Sequence, residues 1–259
     1  MPELTKNPPM NRYETIDCMG YPIFTDSLES LSIRKNFLIS TINQYSYCVA
    51  EEDDEFKHVL THSDILLPDG IGIVLAAKTL NHQKITKIAG ADLHKHLLEK
   101  LNKTGGSCFY LGASQSTLDI ISARMSKDYP NVKVGSYSPP FKKEFSEMDN
   151  QKMIEAVNEF EPDVLFVGMT APKQEKWAFT HKNKMNVGLI CSIGAVFDFY
   201  AGTVKRPSKI WIDLGLEWLG RLLKEPSRMW KRYIYYGVIF LYYLTKEKVA
   251  LLFKKTVAV

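Results

Sequence analysis

Short apolar runs alternate along this chain with stretches of helical spacing, and each run is apolar almost without interruption. Runs at residues 37–41, 65–67, 107–112, 132–137, 164–168 and 187–193 read as strands; 46–61, 71–80, 91–102, 116–128 and 150–160 read as helices. A strand with one wet face alternates apolar and polar residues, whereas a continuously apolar strand is covered on both faces. Strand and helix in alternation then predict an α/β fold: a mainly parallel, Rossmann-like sheet with helices on both faces. At 259 residues, 45% of them hydrophobic, the chain can bury one large core. No internal repeat or low-complexity segment interrupts the pattern.

In open α/β sheets ligands bind beyond the carboxyl ends of the strands, so the loops there are where chemistry is sought. The sharpest is Leu67-Pro68-Asp69-Gly70, where a buried strand runs into a turn and then an apolar helix. Pro68 restricts the backbone before Asp69, and Gly70 permits the sharp turn after it. Asp69 is therefore a candidate catalytic carboxylate; the same triplet also reads as an ordinary Asx turn or helix cap. Other polar strand ends hold Thr41 and Asn43, Gly112, and Gly168 followed by Lys173 and Gln174, with Asp198 past the last strand. Any one of them is also a plain βα loop, but several at one sheet edge make a cleft.

Several chemistries lack their motif. Gly70-Ile71-Gly72 begins like a dinucleotide fingerprint, but Leu75 takes the third glycine position. There is no phosphate-cradling Gly-x-x-x-x-Gly-Lys loop, no zinc spacing and no Gly-x-Ser-x-Gly elbow. His94 and His96 diverge on a helix, and the acidic stretch at 53–55 reads as a solvated helix face. The four cysteines are scattered in apolar segments, as in a reduced cytosolic protein. The polar, proline-rich first residues do not read as a signal peptide.

The net charge of +4 hides an asymmetry: from Lys205 onward twelve Lys/Arg face four Asp/Glu, so a +8 tail follows a −4 body. This divides the chain into an α/β core, 1–204, and a basic helical appendage, 205–259. Such a tail addresses one surface and is not a nucleic-acid coat. Residues 212–223 read as an amphipathic helix, Pro226 as the start of another, and Arg221, Lys224, Arg228 and Lys231 fall roughly on one face. The twelve apolar or glycine residues 233–244 are too few to span a bilayer. With basic flanks and many tyrosines they suit a membrane surface, the other reading being a helix packed on the body.

Together these motifs resemble the WecG/TagA/CpsF family of bacterial glycosyltransferases. The matching pieces run in order: Thr41-Ile42-Asn43, 67–72, Gly90-Ala91-Asp92-Leu93, 109–113, 168–175, 194–202, Arg206-Pro207, 215–219 and 221–226. The resemblance implies inverting, metal-independent transfer of a hexosyl unit, of the N-acetylmannosamine type, from a UDP-sugar to a polyprenyl-diphosphate-linked sugar. The product would enter teichoic acid, capsule or exopolysaccharide. A UDP-glucose-type transferase of the same family, or a non-catalytic nucleotide-sugar or lipid-binding module, are the alternatives. It further implies no cofactor, a cytoplasmic enzyme docked peripherally on the inner face of the plasma membrane, and leaves a homo-oligomer open. Asp69 would be the general base, with Thr41 and Lys87 beside it in the catalytic group. Asn43, Gly112, Gly168, Lys173, Gln174, Asp198, Arg221, Arg228 and Arg232 would bind substrate. Lys87 stands where the family has arginine, and lysine neutralises phosphate without bidentate geometry.

Overall fold

A computed structural model describes residues 13–213 and 215–257; the proline-rich start of the chain lies outside the described residues. Among them eight strands form one sheet: β1 (Thr15–Cys18), β2 (Tyr21–Phe24), β3 (Phe37–Ile42), β4 (Ile65–Pro68), β5 (Ser107–Gly112), β6 (Lys133–Tyr137), β7 (Val164–Gly168) and β8 (Leu189–Ser192). Their spatial order is β1-β2-β4-β3-β8-β7-β5-β6, antiparallel at β1–β2 and parallel elsewhere.

Both faces are covered, which is why the strands read as unbroken apolar runs. Ile65 and Leu67 of β4 enter one core cluster with Leu93, Leu97 and Leu101 of α4 (Gly90–Thr104). Leu66 between them turns to the other face, joining Tyr47 of α1 (Gln44–Ala50), Phe56 of α2 (Asp54–Thr61) and Ile73 of α3 (Ile71–Ala76). On β5, Tyr110 packs with α5 (Gln115–Asp128), while Phe109 and Leu111 meet α6 (Glu147–Phe160) and α7 (Lys173–His181). The four cysteines are buried and unpaired.

The structure departs from the sequence reading in local detail. The single helix expected over 46–61 is two, because the Asp53 carboxylate accepts a hydrogen bond from the Phe56 amide and starts α2 afresh. The β1–β2 hairpin has no counterpart among the expected elements; it turns through Met19 and Gly20, both at positive φ (57° and 82°). The helix expected over 71–80 is α3 followed by a π turn at Ala77–Asn81. Instead of one helix over 212–223, α9 (Lys209–Asp213) gives way to Gly215 at φ 71°, and α10 begins at Glu217 (Glu217–Lys224). After α8 (Val196–Ala201) and this pair, α11 (Pro226–Trp230) starts on proline as expected, and α12 (Tyr236–Val257) closes the chain.

α12 carries the second of the two readings of residues 233–244, a helix packed on the body. Phe240 and Leu244 are buried among Tyr47, Cys48 and Ile73, with the Tyr47 ring edge-on to Phe240 at 5.4 Å. Burial of each such side chain stabilises by about 1.5–3 kcal/mol. On the opposite face Val238, Leu241 and Tyr242 stand exposed. No described helix is long and apolar enough to cross a membrane.

Candidate active site

The carboxyl ends of β3, β4, β5, β7 and β8 open into one cavity of about 2000 Å³, closed on its far side by α10 and residues 228–236. All twelve of the sequence-predicted site residues border it. Asp69 is fixed by its backbone: its amide donates to the Ile42 carbonyl (2.8 Å), extending the β3–β4 ladder by one bond. Gly70 turns the chain at φ 126°, and a side chain there would meet Gln44 Oε1 at 3.2 Å and Asn43 Cβ at 3.3 Å.

The Asp69 side chain faces the cavity and is otherwise enclosed by protein. Among the described residues its carboxylate has no ion pair and no hydrogen bond. Burial pushes its pKa up to about 6; Lys87 opposes the rise, Glu217 adds to it, and Arg232 and Arg221 oppose it. A carboxylate tuned this way takes a proton near neutral pH.

The cations around it differ in how they are held. Lys87 Nζ donates to Glu217 Oε2 (2.9 Å). Arg206 grips the same carboxylate through Nε (3.0 Å) and a terminal nitrogen (3.3 Å), and lies 3.5 Å from Asp92. Arg228 pairs with Glu225 at 3.0 Å. Arg221 and Arg232 instead lie over aromatic rings, Phe199 at 5.2 Å and Tyr45 at 4.7 Å, with no described carboxylate partner.

Several candidates are also committed to the protein itself. Asn43, on the cavity lining, accepts through Oδ1 from the Tyr45 and Ser46 amides, capping α1, which leaves its NH2 without a described partner. Gln174 is buried; its Oε1 accepts from the Met169 amide (3.2 Å), and its Nε2 donates to Glu175 (2.7 Å). Lys173 Nζ donates to the Lys142 carbonyl and sits over the Phe145 ring. Asp198 accepts from the Thr203 hydroxyl at 3.4 Å. Gly112 and Gly168 permit close approach of the chain to itself: a Cβ on Gly112 would lie 2.4 Å from the Gly168 carbonyl oxygen, and one on Gly168 2.6 Å from the Phe197 ring. Thr41 borders the cavity from β3.

Sequence reasoning missed Glu175 and gave no role to Arg206 or Glu217. Glu175 is buried on α7, its Oε2 without a partner and its pKa pushed by burial up to about 7, against the pull of Gln174 and Arg232. Arg206 and Glu217 stood inside quoted motifs, but nothing in a linear pattern ties them to Lys87, 130 residues from Glu217. The acidic stretch at 53–55, read as a solvated face, is partly engaged: Asp53 and Glu55 both bind Lys176 (2.8 and 2.7 Å), joining α2 to α7. No group of three or more His, Cys, Asp or Glu among the described residues is placed to hold a metal ion.

A mainly parallel sheet whose strand ends present the raised-pKa carboxylate of Asp69 to a set of guanidinium groups is the active-site plan of a group-transfer enzyme with an anionic substrate. The chain belongs to the glycosyl transferase WecG/TagA/CpsF family, whose profile matches residues 14–253. It is similar to a Bacillus subtilis (strain 168) protein named N-acetylglucosaminyldiphosphoundecaprenol N-acetyl-beta-D-mannosaminyltransferase, 32% identical over 87% of this chain and 86% of that one. Proteins of the same name from Bacillus spizizenii and Staphylococcus aureus (strain MW2) are 29% and 26% identical, over 86% and 82% of this chain and 85% and 81% of theirs. The chain is a hexosyltransferase.

Proposed function

We propose that this enzyme moves an N-acetylmannosaminyl unit from a UDP-sugar to N-acetylglucosamine carried on a polyprenyl diphosphate, with inversion and without a metal. The observation that carries this reading is Asp69: a carboxylate with a raised pKa and no bonded partner, at the edge of a cavity large enough for a nucleotide sugar and a second sugar together. Cavities for single small ligands run to roughly 1000 Å³. Asp69 takes the proton from the acceptor hydroxyl as its oxygen attacks the anomeric carbon from the face opposite UDP. The C–O bond to UDP breaks, and the product has inverted configuration. The leaving diphosphate gathers negative charge, which Arg221 and Arg232 are free to balance because no described carboxylate competes for them. Thr41 and the NH2 group of Asn43 would hold sugar hydroxyls; Gln174 and Lys173 would shape the donor side from the α7 end, with Asp198 across from them.

The segment from Lys205 onward acts in this reading as an appendage that completes the site and docks on the inner face of the plasma membrane. The outward stripe of α12 and the +8 charge of the tail support it. The test is UDP release from UDP-N-acetylmannosamine. Release should require a short-chain prenyl-diphosphate N-acetylglucosamine, and Asp69→Asn should lower kcat by ~10²–10⁴-fold while UDP still binds. Undiminished turnover in that variant removes Asp69 from the role of base. UDP binding without product across a panel of donors would make the chain a binding module instead.

A further inference from the structure

Lys87 is bonded to the Glu217 carboxylate and close enough to the free one of Asp69 to act on it electrostatically. A lysine paired directly with Asp69 would occupy an oxygen the acceptor proton needs and would depress its basicity. Lys87 instead bonds Glu217 at 2.9 Å, and Arg206 braces that carboxylate through two nitrogens while reaching Asp92 on the first turn of α4. Four charged side chains thus join the loop before α4, α4 itself, the segment after α8 and the start of α10.

Burial works to raise the Glu217 carboxyl, but Arg206 and Lys87 outweigh it and hold it below the usual carboxylate range. Its charged form is thereby favoured. The charged or titratable groups around Asp69 are Lys87 before α4, Glu217 and Arg221 on α10, and Arg232 and Tyr233 from the turn after α11.

We propose that Glu217 is a positioning residue for glycosyl transfer: it holds Lys87 off Asp69 and ties the C-terminal segment over the site. The proposal rests on Asp69 being the base. Substituting Glu217→Gln removes a negative charge near Asp69 and frees Lys87 to turn toward it, and both effects lower the basicity of Asp69.

The experiment is the pH profile of kcat/KM for UDP release by the full chain, with Glu217→Gln and Glu217→Asp beside the wild type. The acidic limb of Glu217→Gln is expected about one pH unit lower, with reduced kcat at neutral pH. Glu217→Asp should bring the limb back toward the wild-type position. A rate that falls with the limb unmoved overturns the proposal, since loss of packing alone does not shift a titration. If Glu217→Gln is folded but too slow to assay, carbon-13 NMR titration of the Asp69 carboxyl reads the same shift, and an unmoved titration overturns the proposal equally. A wild type with no acceptor-dependent UDP release, or an Asp69→Asn variant that turns over normally, counts against the proposed function and not against the Glu217–Lys87 arrangement, which the titration reads independently.

Discussion

At the scale of single residues the site is a pattern of committed and uncommitted groups. Asp69 is uncommitted, and its charged form is the working one. With its pKa pushed up to about 6, kcat/KM should climb as pH rises through about 6 and level off above, which a steady-state pH profile checks. Stability runs against activity here, and Glu175 is the clearest case. Its folded pKa, pushed up to about 7, lies above that of an unfolded glutamate, so folding takes up a proton. That contribution is full below the unfolded value and is lost as pH rises through about 7. Thermal melts should therefore show the wild type losing stability between pH 5 and 8, and Glu175→Gln losing less, by up to about 3 kcal/mol at the alkaline end. Gln174 keeps a neutral partner in that variant, so the bond between positions 174 and 175 survives the change.

Among the elements, β5 and β7 meet at their carboxyl ends with no room for a side chain. Gly112→Ala would force a methyl to within 2.4 Å of the Gly168 carbonyl at a backbone φ of 124°. We expect a loss of about 2–3 kcal/mol in chemical denaturation, with weakened UDP binding because the two strand ends must part. The central strands of this sheet were legible because burial on both faces leaves an unbroken apolar signature. The β1–β2 hairpin was not, since β1 is polar at Thr15 and Asp17 and its turn opens on Met19, where Asn, Asp or Gly is usual. The break between α1 and α2 hid for a different reason: Asp53 looked like surface charge and is a cap that also holds Lys176. The cleft could be read from polar residues at strand ends. The Lys87–Glu217–Arg206–Asp92 cluster could not, because it joins positions up to 130 apart that share no periodicity.

At the scale of the whole molecule the sheet is covered by helices, and α12, seated on α1 and the turn after α3, has two different faces. Ending the chain after Ala201 would remove Phe240 and Leu244 from the core, a loss of about 3–6 kcal/mol out of a typical total of roughly 5–15. A truncated protein would therefore be poorly folded, and membrane docking is better tested on the outward face. Val238→Glu with Leu241→Glu leaves the buried face intact. We expect this pair to abolish flotation with anionic vesicles while UDP binding persists in solution; a double variant that still floats would rule out the α12 stripe as the docking surface. Were α12 to dock on a bilayer as proposed, the enzyme and its lipid-linked acceptor would be confined to one plane, and the proposed nucleotide sugar alone would arrive from the bulk. Turnover should then follow the mole fraction of acceptor among the lipids rather than its concentration in the tube. Adding inert lipid at constant total acceptor would slow the enzyme by surface dilution alone.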